Sequence, residues 1–469
     1  MINWTDQNRG KSWVTKLFWV GVVITLAIFL LNFTLIGFGV YGDGIGYYTP
    51  LRSLIFDGNL QINDEYEYLS HSVSNFGGGA RVDKAIPQYS KYTLGLGLML
   101  SPFFVLGHFA TLIANALGAE IDPNGLTWSY ELFYCLGSIT LGIVGLIFCY
   151  KAARLFFSQT ASVLAVAGIW FASPLSFYLT LEVSMSHAVS QFLISIFLYV
   201  CISTVWVKQR PQQILLGLVL GLAAFVRPQN ILFAIVPIIM IVWNIINGVI
   251  KANKIGINNP WTKIIKLPDI TSLAVIGLVA CLMQLPQIFI YQWQYSNFLK
   301  IPYLEEGSAE GYESSFNWIQ PQISNVLFSG HRGLFFWHPV LFLSIIGLIL
   351  AYRKSPMLVT SFLLVFGLQV YLVASWWCWW QGSSFGGRMF TNCSLIFVWG
   401  LAAFWDNLSC KRSRLLGVGV TLFLMGWNTL LILQYESGMI PSEDAVTIRQ
   451  VLHNQLFAIP YFINHIFNR

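Results

Sequence analysis

Long apolar segments dominate this sequence and restrict it to a membrane-embedded helical fold. A helix needs about 20 apolar residues to cross a bilayer, and its backbone polar groups must be satisfied internally. Only 10% of the residues are charged, whereas soluble proteins have about 25%. The sequence therefore predicts an all-α polytopic membrane protein with about 11–12 transmembrane helices. The apolar segments lie at 17–40, 94–117, 128–150, 160–181, 187–206, 213–226, 229–247, 272–294, 335–352, 357–375, 393–409 and 413–435.

Clusters of basic residues indicate which segment ends face the cytoplasm, where Lys and Arg are in excess. The loops 42–93, 295–334 and 376–392 and the tail after residue 436 are then external. Segment 213–226 is short for a crossing. We therefore interpret it together with its neighbour 229–247 as a pair of helices separated by a break. The clusters are Arg9 to Lys16, Lys151 with Arg154, Lys208 with Arg210, Lys251 to Lys266, Arg353 with Lys354, and Lys411 to Arg414.

One segment does not fit this topology. Loop 118–127 has no Lys or Arg, although the Lys151 end of the next segment should be cytoplasmic. Segment 94–117 therefore either enters and returns on the outer side, or the assignment is off by one crossing there. We expect one transmembrane domain, 1–435, and a small external tail, 436–469.

The first external loop, 42–93, is predicted to be structured. Apolar residues recur at helical spacing from Tyr47 to Ile55, which indicates an amphipathic helix along the outer membrane interface. The glycine run 77–79 is predicted to allow a flexible turn or the close approach of a ligand.

Asp43 is the first candidate functional residue, because it follows the first span directly in Gly42-Asp43-Gly44. A carboxylate at the edge of the bilayer is unfavourable unless it is paired or has a function. The alternative is that Asp43 caps the next helix by accepting a backbone N–H. As a general base, Asp43 would accept the proton of an acceptor hydroxyl.

Three arginines and one lysine are candidates for binding a lipid phosphate. Arg227, Arg332 and Arg388 lie at breaks on the outer side, and Lys91 precedes the second apolar segment. Arginine stays charged and binds phosphate through two parallel hydrogen bonds. Snorkelling to the lipid headgroups is the alternative for Arg227.

Further polar and aromatic residues on the outer side are candidates for assisting groups or for binding the acceptor. Each has a structural alternative: a carboxylate can cap a span end, a histidine can be a satisfied core residue, and tryptophans can form an interfacial belt. These candidates are Tyr47, Tyr48, Glu182, His187, His331 and Trp380.

Several short motifs resemble the GT-C superfamily of polytopic glycosyltransferases, which use polyprenyl-phosphate-linked sugars. The branch most similar in appearance contains the protein O-mannosyltransferases and the lipid A aminoarabinose transferase. Each motif is short and degenerate, and it is their order that carries the resemblance. The motifs are Gly42-Asp43-Gly44 with Tyr47-Tyr48, Gln88 to Gly95, Gly221 to Pro228, Gly330 to Pro339, and Trp380 to Arg388.

The resemblance implies that Asp43 is the catalytic carboxylate. Many members have a second acidic residue beside it, but this chain has a glycine there. Asp57, Glu65 or Glu182 could substitute, and the sequence does not choose among them. Some members bind a divalent cation at this site. A single carboxylate makes a metal site less favoured, so no cofactor is expected, with a divalent cation as the open alternative.

The predicted activity is an inverting glycosyltransferase that moves a hexose or pentose from a polyprenyl-phosphate donor to an acceptor hydroxyl. The acceptor could be a lipid, a glycan or a protein of the cell envelope. We expect the membrane to be a bacterial inner or plasma membrane, with the site facing the periplasm or exterior. The alternatives are a glycolipid or solute transporter or flippase, and a glycan polymerase or ligase that uses lipid diphosphates. No basic, aromatic-interleaved block suggests nucleic acid, and no phosphate-binding glycine loop suggests a soluble nucleotide.

Overall fold

The computed structural model describes residues 4–72, 81–82, 86–204, 209–254, 267–408 and 411–467. Across these ranges the protein is helical and has no β-strand, only a bridge between Phe316 and Trp376. The all-α prediction is confirmed. The glycine run 77–79 and the predicted cytoplasmic residues Lys208, Lys263 and Lys266 lie outside the described residues.

The α-helices are numbered in chain order, and short 3-10 helices at Pro228–Ala234, Pro302–Leu304 and Arg388–Cys393 connect some of them. They are α1 Trp4–Ile36, α2 Asp43–Phe56, α3 Asn63–Ser70, α4 Gly95–Ala116, α5 Trp128–Arg154, α6 Gln159–Ala172, α7 Pro174–Thr180, α8 His187–Ser203, α9 Arg210–Val226, α10 Ile235–Lys254, α11 Leu267–Leu282, α12 Leu285–Tyr295, α13 Glu306–Ala309, α14 Ile323–Phe328, α15 Leu334–Trp337, α16 Pro339–Ala351, α17 Pro356–Ser375, α18 Ser394–Asp406, α19 Lys411–Glu436 and α20 Ile448–Phe467.

The described part contains eight helical stretches that are long and apolar enough to cross a membrane. The bent pair α6–α7 forms a further one, and α8, α9 and α16 are shorter apolar helices. Eight or nine stretches of the described part are thus long enough to cross, and the three shorter helices lie in the predicted segments 187–206, 213–226 and 335–352. The number of 11–12 crossings stays a prediction.

Several predicted segments are interrupted, among them those at Arg227 and Ser173. The predicted break at Arg227 is present, because α9 ends at Val226 and Arg227 is extended before the 3-10 helix. Segment 160–181, expected as one helix, is instead bent by 66°. Ser173 is extended there and its hydroxyl caps α7, while Pro174 has no N–H to continue α6.

Helix α2 is present as predicted, but most of it lies inside the protein. Its first three turns are buried, and only the last turn exposes apolar side chains, Leu54 and Ile55. The Tyr48 ring packs edge-to-face on Phe104 and Tyr134. This helix therefore belongs mainly to the core of the protein, and only its last turn can lie along the predicted outer membrane interface.

Helix α2 also contacts the residues that flank segment 94–117. Before α4, the Ser90 hydroxyl donates to the carbonyl of Gly46 (2.6 Å). After α4, the carbonyl of Asn124 accepts from Nε of Arg52 (3.0 Å). Gly46 and Arg52 are separated by only about 9 Å of helix, which is far less than a bilayer core of about 30 Å. Both flanks of α4 therefore contact α2, but α4 between them is one continuous helix of 22 residues, about 33 Å long. Whether the segment crosses or enters and returns stays a prediction.

A buried ion pair fixes the turn between α1 and α2. The Glu131 carboxylate accepts the backbone N–H groups of Gly39 (2.9 Å) and Val40 (3.0 Å). It also pairs with Nη2 of Arg81 at 2.6 Å, and Arg81 donates to the carbonyl of Val40. Both side chains are at most 3% exposed. One carboxylate thus orients the backbone that leads to Asp43.

The C-terminal tail packs onto the protein through a loop and a helix. The Val446 N–H donates to the carbonyl of Gly330, and Ser383 donates to Glu443. Helix α20 then packs against α19. The division into a domain 1–435 and a tail 436–469 stays a prediction.

Replacing Glu131 tests the importance of this turn. Glu131→Ala leaves the Arg81 charge and two backbone N–H groups buried without their partner, so we expect a loss of about 3 kcal/mol or more in the free energy of unfolding. Thermal unfolding in detergent should show a clearly lower melting temperature. Glu120→Ala, in the exposed loop after α4, is the control and should stay within about 0.5 kcal/mol of the wild type. Equal melting temperatures for the two variants would contradict this role.

Candidate active site

Asp43 is the first residue of α2, and its carboxylate is paired with an arginine. Gly42 occupies the preceding position with φ 56°, and no side chain caps the helix. Oδ2 of Asp43 lies 3.0 Å from Nη1 of Arg388. The alternative role of Asp43 as a helix cap is therefore not observed. The side chain is 35% exposed, so a ligand can reach it.

The groups around Asp43 keep it ionised. Burial alone would raise the pKa of this carboxyl, but the Arg388 and Lys91 charges and a hydrogen bond from Tyr92 lower it below its ordinary value. Nearby positive charges favour the ionised form. Asp43 is thus a carboxylate at neutral pH.

Arg388 reaches Asp43 from the loop between α17 and α18, and the loop holds it firmly. Gln381 and Gly382 both have φ 72°, a conformation that a non-glycine residue adopts only under constraint from its surroundings. The buried Gln381 side chain accepts the backbone N–H of Met389 at 2.8 Å. This contact fixes the backbone next to Arg388, whose Nε has no partner within the described ranges.

Arg227 brings a second buried positive charge to the same region. Its Nη1 donates to Nδ1 of His187 (2.7 Å), and its Nη2 lies 3.4 Å from Oε1 of Gln229. The residue is only 7% exposed. No carboxylate of the described chain lies within ion-pair distance of it. A buried charge without a counter-ion is unfavourable, so the site is prepared for an anion.

Glu182 lies in the turn between α7 and α8 and approaches the same charges. Burial raises the pKa of Glu182 to about 8; Arg388 opposes the rise, and Glu436 and Asp43 add to it. Its Oε2 is buried and unpaired within the described chain. Near neutral pH, Glu182 therefore keeps its proton.

The structure also chooses among the three candidates for a second carboxylate. Asp57 and Glu65 both pair with Arg52, away from Asp43. The Glu182 turn instead lies directly against α2: a Cβ on Gly44 would stand 2.1 Å from the Ser184 hydroxyl. Only glycine at position 44 allows the turn to lie this close to α2. The close packing places Glu182 near the Asp43–Arg388 pair.

Aromatic side chains line the other side of Asp43. Tyr47 stacks on Tyr92 with centroids 4.2 Å apart, and Tyr303 packs edge-on against Tyr92 at 6.4 Å. The Ser186 hydroxyl donates to the Tyr47 hydroxyl at 3.1 Å. Sequence reasoning missed Tyr92 and Tyr303. Tyr92 follows Lys91 in a quoted motif and could have been found, whereas Tyr303 lies in a loop without any motif.

Arg332 does not join this site. Its guanidinium donates to the carbonyls of Ser384 (3.0 Å) and Pro441 (3.2 Å), and also to those of Ser442 and Asp444. It therefore fixes the tail loop, and the structure places it outside the group around Asp43.

Three other predicted residues also lie elsewhere. The Tyr48 hydroxyl donates to the carbonyl of Gly125 (2.5 Å). His331 stacks on Trp380 with centroids 5.4 Å apart. No described hydrogen bond, ion pair or ring contact connects these three residues to Asp43.

The described residues contain no group of three or more His, Cys, Asp or Glu side chains that could hold a metal ion. Asp43 is engaged with Arg388, and Glu182 is protonated near neutral pH. Both states belong to the metal-free protein, and a bound cation would itself favour the ionised form of each carboxyl group. A divalent cation stays the open alternative that the resemblance implies.

Solved structures with a similar fold include ArnT from Cupriavidus metallidurans. Its apo form matches with 12% identity and a TM-score of 0.51, covering 97% of this chain and 76% of ArnT. At this identity the match shows the fold alone, and this chain shares the overall fold of ArnT. No model of a known protein family matches the sequence, and no curated protein matches it.

Two further structures match at lower scores. ArnT bound to undecaprenyl phosphate has 13% identity and a TM-score of 0.49, covering 97% of this chain and 76% of ArnT. The Archaeoglobus fulgidus oligosaccharyltransferase in complex with Zn and sulfate has 12% identity and a TM-score of 0.49. That match covers 96% of this chain and 61% of the oligosaccharyltransferase.

The raised pKa of Glu182 predicts a pH-dependent effect of Glu182→Gln on stability. The folded protein keeps this proton up to about pH 8, whereas an unfolded glutamic acid releases it near its ordinary pKa of 4.5. Between these values the wild type loses stability as pH rises. Glutamine has no proton to release. The stability of the variant relative to the wild type should therefore increase from about pH 5 to about pH 8, and this difference should stay constant above pH 8.

Melting temperatures in detergent across this pH range measure the difference. Glu120→Gln, in an exposed loop, serves as the control and should follow the wild type at each pH. A constant offset between Glu182→Gln and the wild type at every pH would show that Glu182 is ionised in the folded protein.

Proposed function

We propose that this protein is an inverting glycosyltransferase that moves a sugar from a polyprenyl-phosphate donor to an acceptor hydroxyl. The observation that carries the proposal is the buried, uncompensated charge of Arg227 near the Asp43–Arg388 pair. An ionised carboxylate beside two buried arginines, one of them without a carboxylate partner, suits a reaction in which one group takes a proton and an anion departs. The GT-C fold agrees with such a reaction.

The donor phosphate is assigned to Arg227, Arg388 and Lys91. Arg227 has no carboxylate partner, and Nε of Arg388 is free within the described chain. Lys91 is 44% exposed and acts electrostatically on Asp43. Arginine binds phosphate oxygens in pairs, and a lipid carrier suits a site at the edge of the spans. Undecaprenyl phosphate, the ligand in one ArnT structure, belongs to this lipid class.

The reaction then proceeds by one displacement. Asp43 accepts the proton of the acceptor hydroxyl as its oxygen forms a bond to the anomeric carbon. The bond from that carbon to the phosphate oxygen breaks, and the phosphate leaves with the electron pair. Attack from the face opposite to the phosphate inverts the anomeric centre. The two arginines stabilise the negative charge of the departing phosphate, and neutral Glu182 can donate a hydrogen bond.

The stacked Tyr47–Tyr92 pair and Tyr303 are proposed to contact the sugar or the acceptor, because aromatic faces pack well on sugar rings. We propose a hexose or pentose as the transferred sugar, and a lipid, glycan or protein of the cell envelope as the acceptor. The site is proposed to face the exterior or the periplasm, since the predicted cytoplasmic residues Lys151 and Arg154 lie at the opposite end of α5 from Glu131.

A panel of donors tests the proposal directly. Purified protein in detergent is given polyprenyl-phosphate sugars, polyprenyl-diphosphate sugars and free sugars, and the release of lipid phosphate or lipid diphosphate is followed. Consumption of monophosphate donors supports the proposal. Consumption of diphosphate donors alone would favour a polymerase or ligase, and movement of intact glycolipid across vesicles without bond cleavage would favour a flippase.

Asp43→Asn is expected to abolish sugar transfer, because an amide cannot accept the hydroxyl proton. A loss of about a hundredfold or more in kcat is expected for a missing general base. Asp57→Asn is the matched control: Asp57 directly follows the same helix and pairs with Arg52. The control should keep its activity, and the melting temperatures of both variants should show that they fold. An active Asp43→Asn protein would refute the role of Asp43.

A comparison of two arginine variants tests the donor site. Arg227→Gln should raise the KM for the donor by about tenfold or more, because it removes a charge-assisted contact. Arg332→Gln should instead lower the melting temperature and change this KM much less, since Arg332 binds backbone carbonyls of the tail loop. The reverse pattern would place the donor phosphate at Arg332.

A further inference from the structure

A short external segment supplies a carboxylate to one of the proposed phosphate-binding residues. We call Pro302–Ala309, which contains a 3-10 turn and α13, the cover segment. Oε1 of Glu306 lies 2.5 Å from Nζ of Lys91. The Lys91 side chain is 44% exposed and that of Glu306 15%. Lys91 therefore already has a carboxylate partner within the protein.

The cover segment also lies against the aromatic side of the site. Tyr303 packs edge-on against Tyr92, and it lies within electrostatic range of Arg227 and Asp43. The two glutamates of the segment have different partners. Glu305 pairs with Lys300, which precedes the segment in the same loop. Only Glu306 reaches across to Lys91.

The segment has one fixed end. The Gly307 N–H donates to Oγ of Ser315 (2.8 Å), and the Ser315 carbonyl accepts the N–H of Trp377 (2.9 Å). This attaches it to the loop that carries Arg388. The Glu306 carboxylate is thus held within reach of Lys91, and its second oxygen, Oε2, is buried and unpaired within the described ranges.

Lys91 does not depend on Glu306 for its position. Its Nζ also lies over the Tyr92 ring, 5.3 Å from the centroid, and a cation in this geometry is attracted to the ring face. Tyr92 is itself stacked on Tyr47. The lysine therefore keeps a support inside the site when its carboxylate partner is removed.

We propose that Glu306 is an internal competitor of the donor phosphate: it occupies Lys91 in the free protein and leaves it when the lipid phosphate binds. This inference rests on the proposed function, because it takes Lys91 as a donor-binding residue. A carboxylate and a phosphate next to one ammonium group repel each other, so binding exchanges one anion for the other. The exchange releases the Glu306 carboxylate from Lys91, while Gly307 stays anchored to Ser315.

The test is the affinity for undecaprenyl phosphate in detergent, with undecaprenol as the ligand that lacks the phosphate. Glu306→Gln removes the competing charge and keeps the shape, so it should bind the lipid phosphate about three- to fivefold more tightly than the wild type, as expected for a partly exposed ion pair. Glu305→Gln is the matched control and should bind like the wild type. The affinity for undecaprenol should not differ among the proteins.

Two lysine variants complete the experiment as a double-mutant cycle. Lys91→Met should weaken binding of the lipid phosphate, and Glu306→Gln should have no further effect in the Lys91→Met background. Weaker binding by Glu306→Gln, or an equal gain in both backgrounds, would overturn the competitor role.

The failure of the proposed function has a different signature. If the wild type binds undecaprenyl phosphate no better than undecaprenol, or if Lys91→Met binds as the wild type does, then the donor site is wrong and the competitor role falls with it. If Lys91→Met weakens binding but Glu306→Gln leaves it unchanged, the donor site stands and only the competitor role is refuted.

Discussion

The ion pair between Asp43 and Arg388 is the interaction on which the site depends. It joins the first residue of α2 to the loop before α18, and both side chains are partly or fully withdrawn from water. A charge in such surroundings is stable only when a partner and further hydrogen bonds compensate for its lost hydration. Each residue therefore requires the other, and the two loops that carry them must meet at one point.

The surrounding structure brings these loops together with unusual backbone conformations and close contacts. The Glu131–Arg81 pair fixes the turn that leads to Asp43, and Gln381, held at positive φ, fixes the backbone beside Arg388. Gly44 lets the Glu182 turn lie directly against α2. Constraints of this kind concentrate where side chains must be placed precisely, and here they converge on one pair of charges.

Hydropathy and single polar residues predicted much of this arrangement, and the limits of the prediction are physical. The number of apolar segments, the break at Arg227 and the helix after Asp43 all follow from local patterns of a few residues. The bend at Ser173 was missed, although Pro174 marks it, because the apolar run continues through both sides. The partners of Asp43 could not be predicted, since they come from distant parts of the chain.

Arg227 and Arg332 look equivalent in sequence, as each lies at a break on the outer side. They differ only in what faces them: backbone carbonyls satisfy Arg332, while Arg227 has no carboxylate within the described chain.

The balance of charges around Asp43 gives the proposed reaction a natural order. In the free protein Arg388 and Lys91 lower the pKa of Asp43, so the carboxylate is ionised but a weak base. A donor phosphate bound to Arg388, Arg227 and Lys91 would share these positive charges and add its own negative charge nearby, and both effects raise the proton affinity of Asp43. The same phosphate would displace the Glu306 carboxylate from Lys91. Asp43 would therefore become an effective base only once the donor is in place, and the acceptor hydroxyl would be activated only when a sugar is ready to receive it.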